Sequence, residues 1–256
     1  MNDTDPRMET WDRYWREERP AYPPHDILIK QITENVESKD FIIMEIGAGS
    51  GIDAMELARA GYAVIVTDIS VESLRYIRSK SNKAGIEVMA VMADALRMPF
   101  KISSIDFIYH QGLLEHFKNP HSLLSESRAV LKPKGKVLVD VPQTFTFYTL
   151  KKKWAMARGR WFAGWETQYT PARLRRVLKK AGYEVKVLYG RDYEFAPFVW
   201  LRDIRTLGKT RFGHPIIPRF ISVPIGALWT FFEKRELSNY FKLCIGAVAG
   251  NAKDRN

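Results

Sequence analysis

Cysteine is almost absent from this chain of 256 residues: Cys244 stands alone, which excludes a disulfide framework and a cysteine-rich zinc site and fits a reducing compartment. No uninterrupted apolar run reaches the roughly 18 residues that a membrane-spanning helix needs. The nearest approach, Pro215 to Phe232, is broken by Pro218, Arg219 and Pro224. Met1 to Glu9 is polar and lacks the apolar core of a signal peptide, so a cytoplasmic location is expected. Acidic residues are the scarcer charge, 29 against 40 Lys and Arg, leaving a formal net charge of +11. That excess suggests an anionic partner, whether nucleic acid, an anionic membrane surface or an acceptor bearing phosphate or carboxylate, unless it only solvates the surface. Internal repeats and low-complexity tracts are also missing, and the length suits one α/β domain with elaborations.

What is present begins with an apolar run, Phe41 to Met44, followed by Glu45-Ile46-Gly47-Ala48-Gly49-Ser50-Gly51 and a helical pattern from Ile52 to Ala60. A second apolar run, Ala63 to Val66, leads to Asp68. Strand, glycine loop, helix and strand make one nucleotide-binding βαβ unit. Gly47, Gly49 and Gly51 remove Cβ atoms where backbone must turn sharply against a ligand, and Asp68 can accept hydrogen bonds from both hydroxyls of a ribose. A dinucleotide loop would place its third glycine at position 52, which is Ile, so the loop is not built for a pyrophosphate.

Further strands are expected at 87–92, 104–109, 136–141 and 183–188, alternating with helices over 71–84, 121–131 and from Pro171 to Gly182. The helix signals are Ser70 as a cap, Gly85 as a stop, and Thr170 capping ahead of a proline at the first helical position. Alternation of this kind implies an α/β fold with a doubly wound, mostly parallel sheet, and the apolar run from Phe241 to Ala249 supplies a seventh strand.

The pattern Glu-x-Gly-x-Gly-x-Gly with an Asp closing the next strand resembles the class I S-adenosylmethionine-dependent methyltransferases, in their small-molecule, type 11-like branch. The likeness covers roughly residues 40 to 190 and the final strand. It implies a Rossmann-like sheet whose seventh strand runs antiparallel beside the sixth, and S-adenosylmethionine as cofactor. The implied cofactor-binding residues are Glu45, Gly47, Ala48, Gly49, Gly51, Asp68, Ile69 over one face of the adenine, Asp94 for its amino group, Ala95 for a ring nitrogen through its amide, and Gln111 near the sulfonium. Outside that context Asp94 would read as a turn former, and Ile69 as core.

The segment His110-Gln111-Gly112-Leu113-Leu114-Glu115-His116 resembles the Leu-Glu-His stretch of small-molecule methyltransferases. Some quinone-pathway relatives add a Glu three residues before the Glu-His pair and bind a divalent metal; here that position is Gly112, so no metal is expected. His110 and His116 are the candidate general bases, since an imidazole can take a hydroxyl proton near neutral pH. His116 could equally cap the following helix. Leu131-Lys132-Pro133-Lys134-Gly135 resembles the family's turn before the fifth strand. Trp11, Tyr14, Trp15 and Tyr22 resemble the aromatic arm that folds over the cofactor, with Tyr14 and Tyr22 as lid residues, or else a packing anchor.

The chain therefore reads as one methyltransferase domain, with residues 1–26 as an N-terminal arm or lid and residues 191–240 as an acceptor- or membrane-facing insertion. Lys151, Lys152, Lys153, Arg158 and Arg160 interleave with Trp154, Trp161 and Trp165 as a basic, aromatic surface. Arg202, Arg205, Lys209 and Arg211 precede the apolar stretch ending at Phe232, which suits an anionic bilayer, a greasy acceptor pocket or a packed cap. A small-molecule or lipid-like acceptor is expected. RNA methylation and a non-catalytic, membrane-recruited role are the alternatives. Nucleic acid is disfavoured because no Asn/Asp-Pro-Pro-Tyr follows the fourth strand and Cys244 lies in the last.

Overall fold

In the computed structural model, the described residues are 5–18, 23–193, 231 and 235–252. Strands β1 (Ile42–Ile46), β2 (Ala63–Asp68), β3 (Met89–Met92), β4 (Ile105–Gln111), β5 (Leu131–Pro142), β6 (Tyr183–Tyr193) and β7 (Lys242–Asn251) form one sheet in the order β3-β2-β1-β4-β5-β7-β6. β1 to β5 pair in parallel, and β7 enters antiparallel between β5 and β6. This is the doubly wound, mostly parallel sheet that the alternation of elements implied, with the reversed seventh strand that the family resemblance implied.

Both faces of the sheet are covered, which explains why its central strands are apolar at nearly every position. Ile43, Phe107, Tyr109, Leu138 and Val248 pack with Leu28 and Ile32 of α2 (Asp26–Asn35) and with Ala54 and Leu57 of α3 (Ile52–Arg59). Met44, Ile46, Ile108, Val137, Val139 and Ala247 pack with Leu123 and Leu124 of α5 (Pro120–Val130) and with Leu174 and Leu178 of α7 (Pro171–Lys180). Helix α4 (Val71–Ala84) starts at Ser70, whose side chain accepts from the Ser73 amide, and stops at Gly85. Thr170 caps α7 in the same way, by accepting from Arg173.

Three elements depart from expectation. β5 begins at Leu131 rather than Lys136, because Leu131 pairs with Ile105 across a bulge that absorbs the turn residues. β6 continues past Leu188 to Tyr193, because β7 supplies partners down to Lys242. The added length carries Arg191, whose guanidinium bonds both oxygens of Asp140 on β5, while the Tyr189 hydroxyl donates to Asp140 Oδ2 at 3.0 Å. The Tyr189 ring crosses over β7 at Gly246, which pairs with Asp140 on one side and Tyr189 on the other; a Cβ there would collide with that ring. Third, the connection after β5 contains α6 (Phe147–Ala157).

The N-terminal arm is a helix, α1 (Pro6–Glu17). Of the 191–240 insertion, residues 191–193 belong to β6 and 236–240 to a 3-10 turn that ends at Phe241; Arg202, Arg205, Lys209, Arg211 and Tyr22 lie outside the described residues. No helix among the described residues is long and apolar enough to cross a membrane.

Candidate active site

The carboxyl ends of β1, β2, β4 and β5 open into a cavity of about 700 Å³, roofed by α1 and by the loop after α6. Open α/β sheets bind ligands at this edge. The cavity wall includes Glu45, Gly47, Ala48, Gly49, Asp68, Ile69, Asp94, Ala95, Gln111, His116 and Tyr14, so most of the residues singled out in the sequence meet there. Gly51 lies just outside, at the N-terminus of α3.

At one end the wall is largely backbone. The amides of Gly47 and Ala48 donate to the Thr67 carbonyl at 2.8 and 3.0 Å, fastening the loop to β2. Asp68 Oδ2 accepts from the Gly49 amide at 2.9 Å and the Ser73 hydroxyl at 3.1 Å, and Oδ1 accepts from the Ser70 amide at 2.8 Å. Burial raises the Asp68 carboxyl above its ordinary range against the pull of those donors. A carboxylate has four lone-pair sites, so Asp68 can hold the loop and still accept from a ribose. Gly49 has φ of 53°, and a Cβ built on it would lie 2.7 Å from Trp15 Cζ2 of α1. Glu45 is buried with Oε2 unpartnered; desolvation and the neighbouring Asp53 and Asp68 charges push its carboxyl well above the usual range. A positively charged group in the cavity would satisfy it.

Asp94 accepts from the Leu96 amide through Oδ1 and from Arg7 of α1 through Oδ2, at 2.9 and 2.7 Å. Arg7 thus stands where the resemblance puts the adenine amino group. Gln111 Nε2 lies 3.2 Å from His25 Nε2, and both the amide and Nδ1 of His25 reach the Asp53 carboxylate at 2.8 Å. Arg7, His25 and Asp53 were not anticipated; the one local signal was an acidic residue in the first turn after a glycine loop.

The other end is made of side chains. Glu115, His116, Tyr148, Lys152, Trp161, Phe162 and Glu166 line it, with Trp11 and Tyr14 from above. Lys152 is buried, not surface as its place in a basic run suggested, and it pairs with Glu166. The Trp161 indole donates to Glu166 Oε1 at 2.6 Å. Glu115 has Oε2 unpartnered, and burial, reinforced by the Glu166 charge, pushes its carboxyl up to about 8. His116 Nδ1 lies 4.0 Å from Glu166, and burial lowers its pKa, so it is neutral at pH 7 and able to accept a proton. Among the described residues no group of three or more His, Cys, Asp or Glu is arranged to hold a metal.

His110 is a different matter. It sits in β4 outside the cavity wall, wholly buried, with both ring nitrogens unpartnered. Burial lowers its pKa to about 3. The expectation of a base at His110 gives way to a neutral core residue.

Helix α1 joins the two ends. Asp12 accepts from the Ser70 hydroxyl at 2.7 Å and the Glu72 amide at 3.1 Å, Trp11 meets His116 edge-on at 5.1 Å, and Tyr14 stacks on Phe162 at 4.4 Å.

Residues 44–139 match the family model described as a methyltransferase domain. The chain is 27% identical over 190 residues to the ubiquinone biosynthesis O-methyltransferase of Nitrosococcus oceani, covering 71% of this chain and 80% of that one. It is 23% identical over 215 residues to the enzyme of the same name from Xanthomonas euvesicatoria, covering 79% and 87%. In fold it is similar to the geranyl diphosphate C-methyltransferase of Streptomyces coelicolor, solved with S-adenosyl-L-homocysteine, at a TM-score of 0.63 and 13% identity over 97% of this chain and 99% of that one. A methyltransferase from Aquifex aeolicus aligns at 0.56 and 15% identity over 86% and 87%. The matched span contains the glycine loop, Asp68, Asp94 and the Glu-His pair, and in sequence over that span and in fold around it this chain is similar to S-adenosylmethionine-dependent methyltransferases.

Proposed function

We propose that the chain methylates a hydroxyl of a flat, largely apolar small molecule. The observation that carries this reading is the make-up of the cavity's second end, where the rings of Trp11, Trp161, Phe162 and Tyr148 surround Glu115, His116, Lys152 and Glu166. Aromatic walls bury the body of an acceptor, and a few polar groups fix its reacting atom. The names of the relatives, O-methyltransferases, support oxygen over nitrogen or carbon.

When bound, S-adenosylmethionine supplies an electrophilic methyl group on a cationic sulphur. Asp68 would hold its ribose, Asp94, Ile69 and Ala95 its adenine, and Glu45 and the Gly47–Gly51 loop its methionine part. Arg7 must then share or leave Asp94. Helix α1 excludes water from both ends, so that alignment supplies much of the rate. His116, neutral and in the wall, takes the hydroxyl proton where the acceptor has not already lost it. The test is incubation of a cell extract with isotopically labelled methyl donor: label in an aromatic hydroxyl fraction supports the reading, and label confined to RNA rejects it.

A second observation favours work at a bilayer. Phe147, Leu150 and Trp154 of α6 are 55%, 63% and 57% exposed at helical spacing, Lys151 and Lys153 flank them, and no acidic residue occurs from 141 to 165. Basic residues beside an exposed apolar stripe suit an anionic membrane surface and a lipid-like acceptor. Co-sedimentation with anionic and neutral vesicles at two salt concentrations tests it; no binding to either removes the membrane and leaves the small-molecule reading intact.

A further inference from the structure

The Lys152–Glu166 pair is costly for a fold to maintain. Both side chains are almost fully buried, 2% and 3% exposed, and the desolvation of two ions commonly offsets their attraction. A pair serving only the fold could be replaced by apolar residues of similar volume. This one stands in the wall of the reaction cavity. Glu166 accepts one of the three N–H groups of Lys152, and no other hydrogen-bond acceptor for Nζ occurs among the described residues. The faces of Tyr148 and Trp161, 5.2 and 5.8 Å away, hold the ammonium without using its donors. Glu166 is in turn fixed by the Trp161 indole. Beside the pair, the Glu115 carboxyl is also buried and has one oxygen unpartnered. Donor capacity without an acceptor, inside a cavity, points to an oxygen that the acceptor brings.

We propose that Lys152, held in place by Glu166, binds the reacting oxygen of a phenol- or enol-class acceptor as its oxyanion, and so selects acceptors whose hydroxyl is acidic enough to ionise at working pH. This rests on the methyltransferase reading above and goes on from it. An acceptor that has ionised in solution enters as its anion, and one that enters neutral gives its proton to His116, since the adjacent ammonium favours the charged form of the oxygen. In the transfer an oxygen lone pair forms the O–CH3 bond, the electron pair of the C–S bond passes to sulphur, and the cationic sulphur becomes a neutral thioether. Lys152 keeps all its protons. Glu115, protonated at neutral pH, offers the oxyanion a second donor. The product ether carries no charge, so the ammonium holds it less well than the acceptor, which favours release. An aliphatic alcohol ionises too weakly for an ammonium to trap its anion at neutral pH, which is why the inference is confined to acidic hydroxyls.

The probe is 4-nitrophenol, whose anion is coloured and whose neutral form is not. The full-length protein saturated with S-adenosylhomocysteine is titrated with it at a pH below the probe's own pKa. The expected result is the absorbance of bound phenolate in the parent, retention of most of it in Lys152→Arg, and weakening by roughly ten- to a hundredfold in Lys152→Met, the loss of one charged hydrogen bond. Lys152→Met strands the Glu166 charge, so the neutral double variant Lys152→Met/Glu166→Gln is measured beside it. Calorimetry with S-adenosylmethionine is run on each protein. If the parent takes up no probe or only its neutral form, or if the double variant binds the phenolate as tightly as the parent, the proposal is overturned. If the parent fails to bind S-adenosylmethionine, the methyltransferase reading fails instead, which separates the two.

Discussion

At the cofactor end of the cavity the contacts come from neighbours in sequence, with the amides from Gly47 to Gly49 bound to Thr67 and Asp68 a short helix away. At the acceptor end Trp11, Glu115, Lys152 and Glu166 arrive from four separate stretches of chain, and side chains do the contacting. Backbone recognition constrains residue type tightly, because a Cβ in the wrong place is a collision. Side-chain recognition can be assembled from many combinations, and it leaves no short pattern behind. The contrast also separates risk: the acceptor end holds a buried ion pair, and the cofactor end holds tight backbone around buried carboxyls.

Substitution should tell the two ends apart. The largest effect is expected at Glu166: Glu166→Ala leaves Lys152 buried without its counter-ion, so urea denaturation should show a loss of about 3 to 5 kcal/mol. An unchanged midpoint would mean that the ammonium reaches solvent. Gly49→Val comes next. A branched side chain at φ of 53°, pressed on Trp15, strains the loop by about 3 kcal/mol and should weaken S-adenosylmethionine binding roughly a hundredfold by calorimetry.

The third effect is one of pH. Glu115 holds its proton up to about 8 in the folded chain and only to about 4.5 when unfolded. The folded state therefore binds more protons between those values, and stability falls as pH rises through that window. His110, lowered to about 3 by burial, acts oppositely below the ordinary imidazole value of about 6.5. Glu115 is therefore read between about pH 6.5 and 8, where it contributes a decline of at most about 2 kcal/mol. Glu115→Gln should flatten that decline in thermal melts taken across the range; an equal slope in the variant would assign it to other groups such as Glu45. The smallest effect is at Arg7, whose partly exposed bridges to Asp5 and Asp94 are screened by solvent. Arg7→Ala should cost less than about 1 kcal/mol in stability, and it should leave or improve S-adenosylmethionine affinity by freeing Asp94.

The sheet was legible because strands buried on both faces must be apolar at successive positions, and the cofactor end was legible because glycines and a strand-end Asp mark it. Lys152 was hidden by its neighbours. In Lys151-Lys152-Lys153 composition is uniform, yet a helix turns each side chain by about 100°, so Lys152 faces inward while Lys151 and Lys153 stay exposed. His25 and Asp53 meet across 28 residues, and Arg7 and Asp94 across 87, separations at which no local pattern operates. His110 misled because a strand alternates its faces: its position at the end of an apolar run gave no sign of whether it met the cavity or the core.

The place of β7 has a consequence for how the chain comes off the ribosome. β7 is made after the other six strands, yet it lies between β5 and β6 and braces both. Until it emerges, β5 presents a bare edge, β6 has no neighbour, and Arg191 cannot be brought across to Asp140. The first five strands can collapse during synthesis, but this half of the sheet must wait for a late insertion, leaving a nascent intermediate with an open strand edge exposed to unwanted pairing. The number of residues between β6 and β7 sets the length of that delay, so the spacing of these two strands in the sequence is a kinetic property of the chain.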